Sequence, residues 1–380
     1  FTPKNRLYQE IVDKGLAVMG PNGELPAEEL VLDFSKPATV AWYQKNLEDL
    51  LKLGVAAIKV DFGEGAPLNG VYGSGRTGWQ EHNLYPLRYN KAAAEITKKA
   101  AGTSLIWARS AWAGSQRYPI HWGGDAEASD GGMLGTLRGG LSLGMSGFSF
   151  WSHDVGGFFP ATPRDLYLRW LPFGLMSSHS RCHGLPPTEP WEFDEAFQDV
   201  FRKSVELRYR LLPYIWAQAV DCSQKGHPMI RPLFFEFPED ESSWKVEDQY
   251  LFGSQILVAP LFEEVSERKL YLPPGSWVDL QTEKSYQGPG WVTISAGPVR
   301  AILLGRGGSA IPTAKPGLHT GAMDFSDLEI WVLGASTEAK GLYCPTTGAA
   351  NLAELRVDGS KVSLDPSQGK VSWSVRHLGA

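Results

Sequence analysis

The sequence predicts an α/β fold in which the C-terminal portion of a (β/α)8 TIM barrel is followed by all-β sandwich domains. Up to about residue 240, strand-like and helix-like segments alternate, as in parallel sheets built with crossover helices. From about residue 248, short strand-like runs are separated by proline and glycine, as in antiparallel sandwiches. We therefore expect a partial barrel at residues 1–245, a β-sandwich at 246–315 and the start of another β-domain at 316–380.

The first predicted helix and strand bring a carboxylate to the end of a strand. Ser35 is expected to cap a helix that opens at Pro37, carries apolar residues at helical spacing and stops at Gly54. Residues 55–60 are then expected to form a buried strand, and Asp61 follows it directly. In a (β/α)8 barrel, this C-terminal end of the strands carries the chemistry.

The same alternation continues along the first half of the chain. Further helices are predicted at 90–101, 133–143, 163–177 and 194–224, the last kinked at Pro213, and further strands at 104–108, 118–122, 148–151 and 229–237. About five parallel strands can be identified in this way, whereas a closed barrel needs eight. We expect the missing strands to lie upstream of Phe1.

The second half of the chain has the pattern of short antiparallel strands. Strands are predicted at 255–260, 269–272 and 291–294, with turns at 273–275 (PPG) and 288–290 (GPG). Further strand-like runs occur at 361–364 and 370–375. We expect these domains to contribute little chemistry.

Composition argues against several classes of partner. The 380 residues carry a formal net charge of −6 without a basic cluster, so nucleic acid is not an expected partner. No apolar stretch approaches the roughly 18 residues that span a bilayer, so no membrane association is expected. Three scattered cysteines, at positions 182, 222 and 344, favour a reducing compartment, and we expect a cytoplasmic protein. Because the chain begins with Phe1 rather than methionine, the lack of a signal peptide carries little weight.

Two short stretches place a carboxylate among glycines at the end of a predicted strand: residues 59–64 (KVDFGE) and 121–125 (HWGGD). Hydrolysis of a sugar acetal needs such a pair, one carboxylate ionised and the other protonated. We therefore interpret Asp61 as the nucleophile and Asp125 as the acid/base of a retaining α-glycosidase. A structural role for Asp61, in an ion pair or a loop cap, is the alternative.

The triplet Asp61-Phe62-Gly63 also occurs in protein kinases, where the aspartate binds magnesium. The context argues against a kinase. No His-Arg-Asp-type catalytic loop precedes the triplet, and the glycine-rich loop at residues 70–78 follows it and lacks Gly-Lys-Ser/Thr. Nucleotide binding is therefore not expected.

Several motifs together closely resemble glycoside hydrolase family 31 and occur in that family's order. They are residues 59–64 (KVDFGE), 108–110 (ARS), 121–125 (HWGGD), 137–140 (LRGG), 150–158 (FWSHDVGGF), 178–183 (SHSRCH), 250–254 (YLFGS) and 271–275 (YLPPG). The resemblance covers roughly residues 1–310. It implies a (β/α)8 barrel flanked by β-domains and the release of α-linked sugars with retention. The family nucleophile matches Asp61, and the family acid/base matches Asp125.

The resemblance also implies substrate-binding residues. Arg109 matches an arginine near the nucleophile, His183 matches a histidine that hydrogen-bonds the non-reducing sugar, and Trp122 and Phe158 match aromatic residues of the pocket wall. A structural ion pair for Arg109 and a core position for Trp122 are the alternatives.

Other polar residues near these motifs are expected to support the site or the fold. We interpret Glu64 as a partner of site residues or a solvated loop charge, and His153 and Asp154 as structural or sugar-contacting residues. His179, Cys182 and His183 have a spacing that permits metal binding, but nothing nearby completes a tetrahedral set. We expect neither a metal nor another cofactor.

The stretch around Asp61 bears on the choice of sugar. Many α-glucosidases of this family carry Trp-x-Asp-Met-Asn-Glu there, whereas KVDFGE resembles the α-xylosidase branch, in which the lysine faces the sugar. Because strand residues alternate sides, Lys59 and Asp61 should share a face. We favour an α-xylosidase acting on oligosaccharides or aryl α-glycosides, with an α-glucosidase or an α-transglycosylase next.

Two alternatives belong to another functional class. In the first, the chain is an inactive fragment, because catalysis requires pocket residues on strands upstream of Phe1. In the second, it is a carbohydrate-binding protein without hydrolytic activity. Retention of both aspartates argues against the latter. Assembly into a homo-oligomer is compatible with the sequence and is left open.

Overall fold

The computed structural model describes residues 1–345, 351–367 and 371–379. The chain divides into two compact units, an N-terminal unit, Phe1–Trp122, and a C-terminal unit, Gly123–Ala380.

The N-terminal unit is built from short parallel strands and the helices that connect them. Its elements are α1 (Tyr8–Asp13), α2 (Pro37–Leu51), β1 (Ile58–Val60), α3 (Gly78–Glu81), α4 (Leu84–Ala101), β2 (Ile106–Ala108) and β3 (His121–Trp122). β1 pairs in parallel with β2, and β2 with β3. Apolar residues of α2 and α4 pack against β1 and β2. The predicted alternation of helix and parallel strand is therefore present here. Of the buried strand predicted at residues 55–60, only 58–60 form β1, and residues 55–57 are exposed.

The ends of the two long helices follow local chemistry. Pro37 opens α2, as predicted, because its missing N–H is not needed in the first turn. The prediction of Ser35 as the cap is wrong, since Lys36 holds the N-cap position and the Ser35 hydroxyl donates to Asp33 instead. Gly102 ends α4 in the left-handed conformation (φ 81°), which glycine adopts without strain.

The first part of the C-terminal unit is largely helical. Its elements are α5 (Asp130–Met145), β4 (Trp151–Ser152), β5 (Asp154–Val155), α6 (Arg164–Leu175), β6 (Arg181–Cys182), α7 (Glu195–Arg210) and α8 (Leu212–Lys225). The predicted helix at 194–224 is in fact two helices that meet at Leu211, two residues before Pro213. The parallel pair β5–β6 was not predicted, because each strand has only two residues.

The second part of the C-terminal unit is built mainly from β-strands. Its elements are β7 (Ile230–Arg231), α9 (Leu233–Glu236), β8 (Tyr250–Phe252), β9 (Ile256–Pro260), β10 (Glu267–Asp279), β11 (Ser285–Ser295), β12 (Ala301–Arg306), β13 (Ala310–Thr313), β14 (Asp327–Leu333), β15 (Glu338–Tyr343), β16 (Ala353–Asp358), β17 (Lys361–Asp365) and β18 (Ser372–Leu378). The strands form sheets in the orders β11-β10-β12-β9-β8-β7, β13-β14-β18 and β15-β16-β17. Lys370, at the start of a predicted strand, lies outside the described residues.

The prediction of a long parallel strand at residues 229–237 is wrong. The strand β7 has two residues and pairs antiparallel with β8, so it belongs to the antiparallel sheet. Pro232 follows it at the N-cap of α9. Proline has no N–H for a sheet ladder and is well suited to a helix start, so the chain turns into a helix there.

The predicted turns at residues 273–275 and 288–290 are also wrong. Both segments lie inside long paired strands, β10 and β11. Leu272 pairs with Gly290 and Gly275 with Gly288, so the register shifts between them. A β-bulge accommodates an unpaired residue within a ladder, and proline is tolerated there. The two strands therefore form one bent hairpin.

None of the helices in the described part of the chain combines the length and the apolar character that crossing a bilayer requires.

Adjacent glycines in α5 provide a test of packing in the C-terminal unit. A Cβ on Gly140 would overlap the ring of the buried Trp151, whereas a Cβ on Gly139 would meet nothing within 4 Å. We expect Gly140→Ala to lower the free energy of unfolding by about 1–3 kcal/mol through overpacking. Gly139→Ala should raise it by about 0.5–1 kcal/mol, because alanine loses less backbone entropy in a helix.

Urea unfolding of both variants alongside the parent protein measures the difference. Equal stabilities of the two variants would show that Trp151 moves away without cost.

Candidate active site

The carboxylate of Asp61 lies directly after β1 and is held by three donors. Lys59 Nζ is 2.7 Å from Oδ2, Arg109 Nη1 is 2.9 Å from Oδ1, and the Phe62 N–H donates to Oδ1 at 2.9 Å. Both oxygens are therefore fixed in direction. Hydrogen bonds to a charged carboxylate are roughly twice as strong as neutral ones.

These donors also determine the charge of Asp61. Partial burial favours the neutral acid, but the hydrogen bonds from Lys59 and Phe62 and the positive charges of Lys59 and Arg109 outweigh it. The net effect lowers the pKa of Asp61 below its usual value. The carboxylate is therefore ionised at neutral pH.

Lys59 contacts a second residue of the predicted site. Its Nζ lies 4.7 Å from the centre of the Trp122 ring, a cation–π distance. Trp122 is buried and also meets Trp107 edge to face, with ring centres 6.3 Å apart. The side chains of Lys59 and Asp61 lie on the same side of the chain, in agreement with strand alternation. A pocket role for Trp122 stays a prediction.

Arg109 bridges two carboxylates of the N-terminal unit. Its Nε and Nη2 bind the two oxygens of Glu64 at 2.7 and 3.1 Å, while Nη1 reaches Asp61. Its guanidinium carbon also lies 4.3 Å from the centre of the Phe62 ring. Glu64 is thus ion-paired, although half of its side chain is exposed.

Phe62 is a residue whose role the sequence did not reveal. It adopts the left-handed conformation (φ 59°), which is uncommon for a large side chain, and the Tyr89 hydroxyl donates to the preceding carbonyl at 3.1 Å. The N–H of the same residue donates to the Asp61 carboxylate. A left-handed phenylalanine has no signature in a single sequence. Only its position between Asp61 and Gly63 could have drawn attention to it.

The C-terminal unit carries Asp125 in an exposed bend after Gly124, which has φ 79°. Phe158 and His183 lie together, with ring centres 5.4 Å apart and planes tilted by 39°. The loops that carry them are joined by a hydrogen bond from the Leu185 N–H to the Phe158 carbonyl at 3.0 Å. The structure therefore pairs two of the predicted substrate-binding residues.

His153 and Asp154 are core residues of the C-terminal unit. The indole N–H of Trp170 donates to His153 Nδ1 at 2.9 Å, and Phe173 stacks on the imidazole. Burial lowers the pKa of His153 to about 3, so the ring is neutral. Asp154 is buried in an ion pair with Arg181, which lies in the motif at residues 178–183.

Within residues 1–345, 351–367 and 371–379, no three His, Cys, Asp or Glu side chains converge as metal ligands. His179, Cys182 and His183 therefore do not form such a group.

Comparison with known protein families agrees with these motifs. The model of the glycosyl hydrolases family 31 TIM-barrel domain matches residues 1–218, and that of the family 31 C-terminal domain matches residues 226–311.

Individual proteins are similar over most of the chain. An alpha-xylosidase of Emericella nidulans is 41% identical, over 90% of this chain and 47% of that protein. An alpha-xylosidase of Lactiplantibacillus pentosus is 42% identical, over 75% of this chain and 39% of that protein. The chain thus spans about half the length of these relatives, or less.

A solved structure has the same fold. The cycloalternan-forming enzyme of Listeria monocytogenes, in complex with a pentasaccharide substrate, superimposes with a TM-score of 0.81 at 25% identity, over 94% of this chain and 37% of that chain. The predicted α/β class, with TIM-barrel sequence followed by β-domains, is therefore confirmed. The chain belongs to glycoside hydrolase family 31.

Proposed function

We propose that the protein is a retaining, exo-acting α-glycosidase that releases terminal α-linked xylose from oligosaccharides. The observation that carries this proposal is the Asp61 carboxylate, held by Lys59, Arg109 and the Phe62 N–H and kept ionised at the end of β1. A fixed anion at the end of a barrel strand suits attack on an anomeric carbon.

The proposed reaction has two displacements. In the first, an Asp61 oxygen bonds to the anomeric carbon while the bond to the leaving oxygen breaks, and Asp125 gives its proton to that oxygen. This requires the two carboxyl groups to lie about 5–5.5 Å apart across the substrate. A covalent glycosyl ester of Asp61 results, with its configuration inverted.

In the second displacement, Asp125 acts as a base. It takes a proton from water as the water oxygen bonds to the anomeric carbon and the ester bond to Asp61 breaks. The second inversion restores the original configuration, and both carboxyl groups return to their starting states. Esterification of Asp61 removes its negative charge, which favours loss of the proton from Asp125.

The preference for xylose rests on Lys59 and on the relatives. Lys59 shares a face with the proposed nucleophile, and the two relatives described above are alpha-xylosidases. The deciding experiment compares kcat/KM of the full-length protein on p-nitrophenyl α-xyloside and p-nitrophenyl α-glucoside. A higher value on the xyloside supports the proposal, a higher value on the glucoside indicates an α-glucosidase, and no turnover of either indicates a non-hydrolytic protein.

Substitution of the two aspartates separates their roles. We expect Asp61→Ala to abolish turnover of every substrate, because no ester can form. Asp125→Ala should retain hydrolysis of an aryl glycoside whose leaving group needs no proton, and should lose at least about 10²-fold on an alkyl glycoside.

Steady-state kinetics of both variants on both substrate types provide the measurement. Equal losses of Asp125→Ala on the two types would contradict the assignment of the proton donor.

The Lys59–Asp61 ion pair predicts a pH effect. The ammonium group of Lys59 lowers the pKa of Asp61, so Lys59→Met should raise that pKa. The ionised nucleophile is then lost at a higher pH as the solution is acidified. We therefore expect the acidic limb of the kcat/KM profile to move to higher pH.

Lys52→Met removes an exposed lysine from the same unit and serves as the control, with an unchanged profile expected. An acidic limb that stays in place or moves to lower pH in Lys59→Met would refute the role of this ion pair.

A further inference from the structure

We infer that Glu64 is a positioning residue, which orients the guanidinium of Arg109 and through it the nucleophilic carboxylate of Asp61. This inference rests on the proposed function and assigns a role to a side chain that is not expected to touch the substrate.

The geometry of the Arg109 guanidinium supports this role. The group is planar and rigid, so two bonds on one edge fix the direction of the remaining nitrogen. Glu64 supplies those two bonds, at 2.7 and 3.1 Å, to Nε and Nη2. Nη1 is thereby directed at Asp61 Oδ1, 2.9 Å away.

Phe62 also contacts this guanidinium. Its ring lies against the guanidinium, 4.3 Å from the central carbon, although 68% of the residue is exposed. Its left-handed backbone is uncommon for a side chain of this size, and such conformations persist where the surroundings enforce them. The segment from Asp61 to Glu64 therefore contacts Arg109 through Asp61, Phe62 and Glu64 together.

The Arg109–Glu64 ion pair is expected to contribute little to the stability of the fold. The side chain of Glu64 is 50% exposed, and ion pairs with exposed partners contribute little to folding. A second two-point pair in the same unit, Arg88 with Glu81, differs in this respect, because Glu81 is only 1% exposed. Loss of Glu64 should therefore affect the reaction more than the fold, and loss of Glu81 the reverse.

A double-mutant cycle on the full-length protein tests whether Glu64 acts through Arg109. The variants are Glu64→Gln, Arg109→Met and the combination. We expect Glu64→Gln to reduce kcat/KM on p-nitrophenyl α-xyloside by about 10- to 100-fold, since small misplacements of reacting groups have effects of this size. In the Arg109→Met background the same change should cause no further loss.

A second measurement, the rate of ester formation, serves for variants whose turnover is too slow for steady-state kinetics. An activated 5-fluoro-α-xylosyl fluoride forms a long-lived ester, and mass spectrometry gives its rate of formation on Asp61. We expect the labelling rates to follow the same non-additive pattern, and Glu64→Asp to recover part of the rate.

Three results would overturn the inference. They are an unchanged rate in Glu64→Gln, an equal further loss in the Arg109→Met background, and a fall in Tm that accounts for the lost activity. Glu81→Gln is the matched control, with a lower Tm and an unchanged kcat/KM of the folded protein expected. The Asp61→Ala variant separates the two proposals. If this variant still turns over substrate, the proposed function fails. If it is inactive but the double-mutant cycle is additive, only the role of Glu64 is refuted.

Discussion

The proposed chemistry of this protein depends on the fixed, ionised carboxylate of Asp61. β1 is only three residues long, and it places Lys59 and Asp61 on the same side of the chain. β2, paired in parallel with it, ends at Ala108 and so brings Arg109 to the same edge. Two neighbouring strands of one parallel sheet thus supply both cations. The arrangement follows from the fold, because parallel strands present their carboxyl ends together.

Several helix ends and the placement of Asp61 and Lys59 could be predicted from the sequence. Pro37 and Gly102 mark helix ends through backbone chemistry that depends on single residues. Asp61 could be placed at a strand end because an apolar run stops there, and strand periodicity put Lys59 on its face. These features depend on residues close together in the sequence, so they can be predicted without knowledge of the rest of the fold.

Other features depend on contacts between distant residues and were missed for that reason. The Pro-Gly segments of β10 and β11 have the composition of turns. In the fold, however, the two segments lie opposite each other in the paired strands and form a β-bulge. Residues 230–231 look like part of a long strand until their antiparallel partner, β8, is known. Phe62 has a left-handed backbone and contacts Arg109, a residue distant from it in the sequence. Composition alone does not encode such partners.

The buried, uncharged ring of His153 has a consequence for tolerance of acid. In the unfolded chain this imidazole takes up a proton near its ordinary pKa of about 6.5, but in the fold it does so only near pH 3. Between those values the unfolded chain binds more protons, so acidification draws the equilibrium toward unfolding. His121, in the other unit, has its pKa lowered to about 4 by burial and acts in the same direction. Acidification therefore lowers the free energy of unfolding of both units through buried histidines, independently of any effect on catalysis.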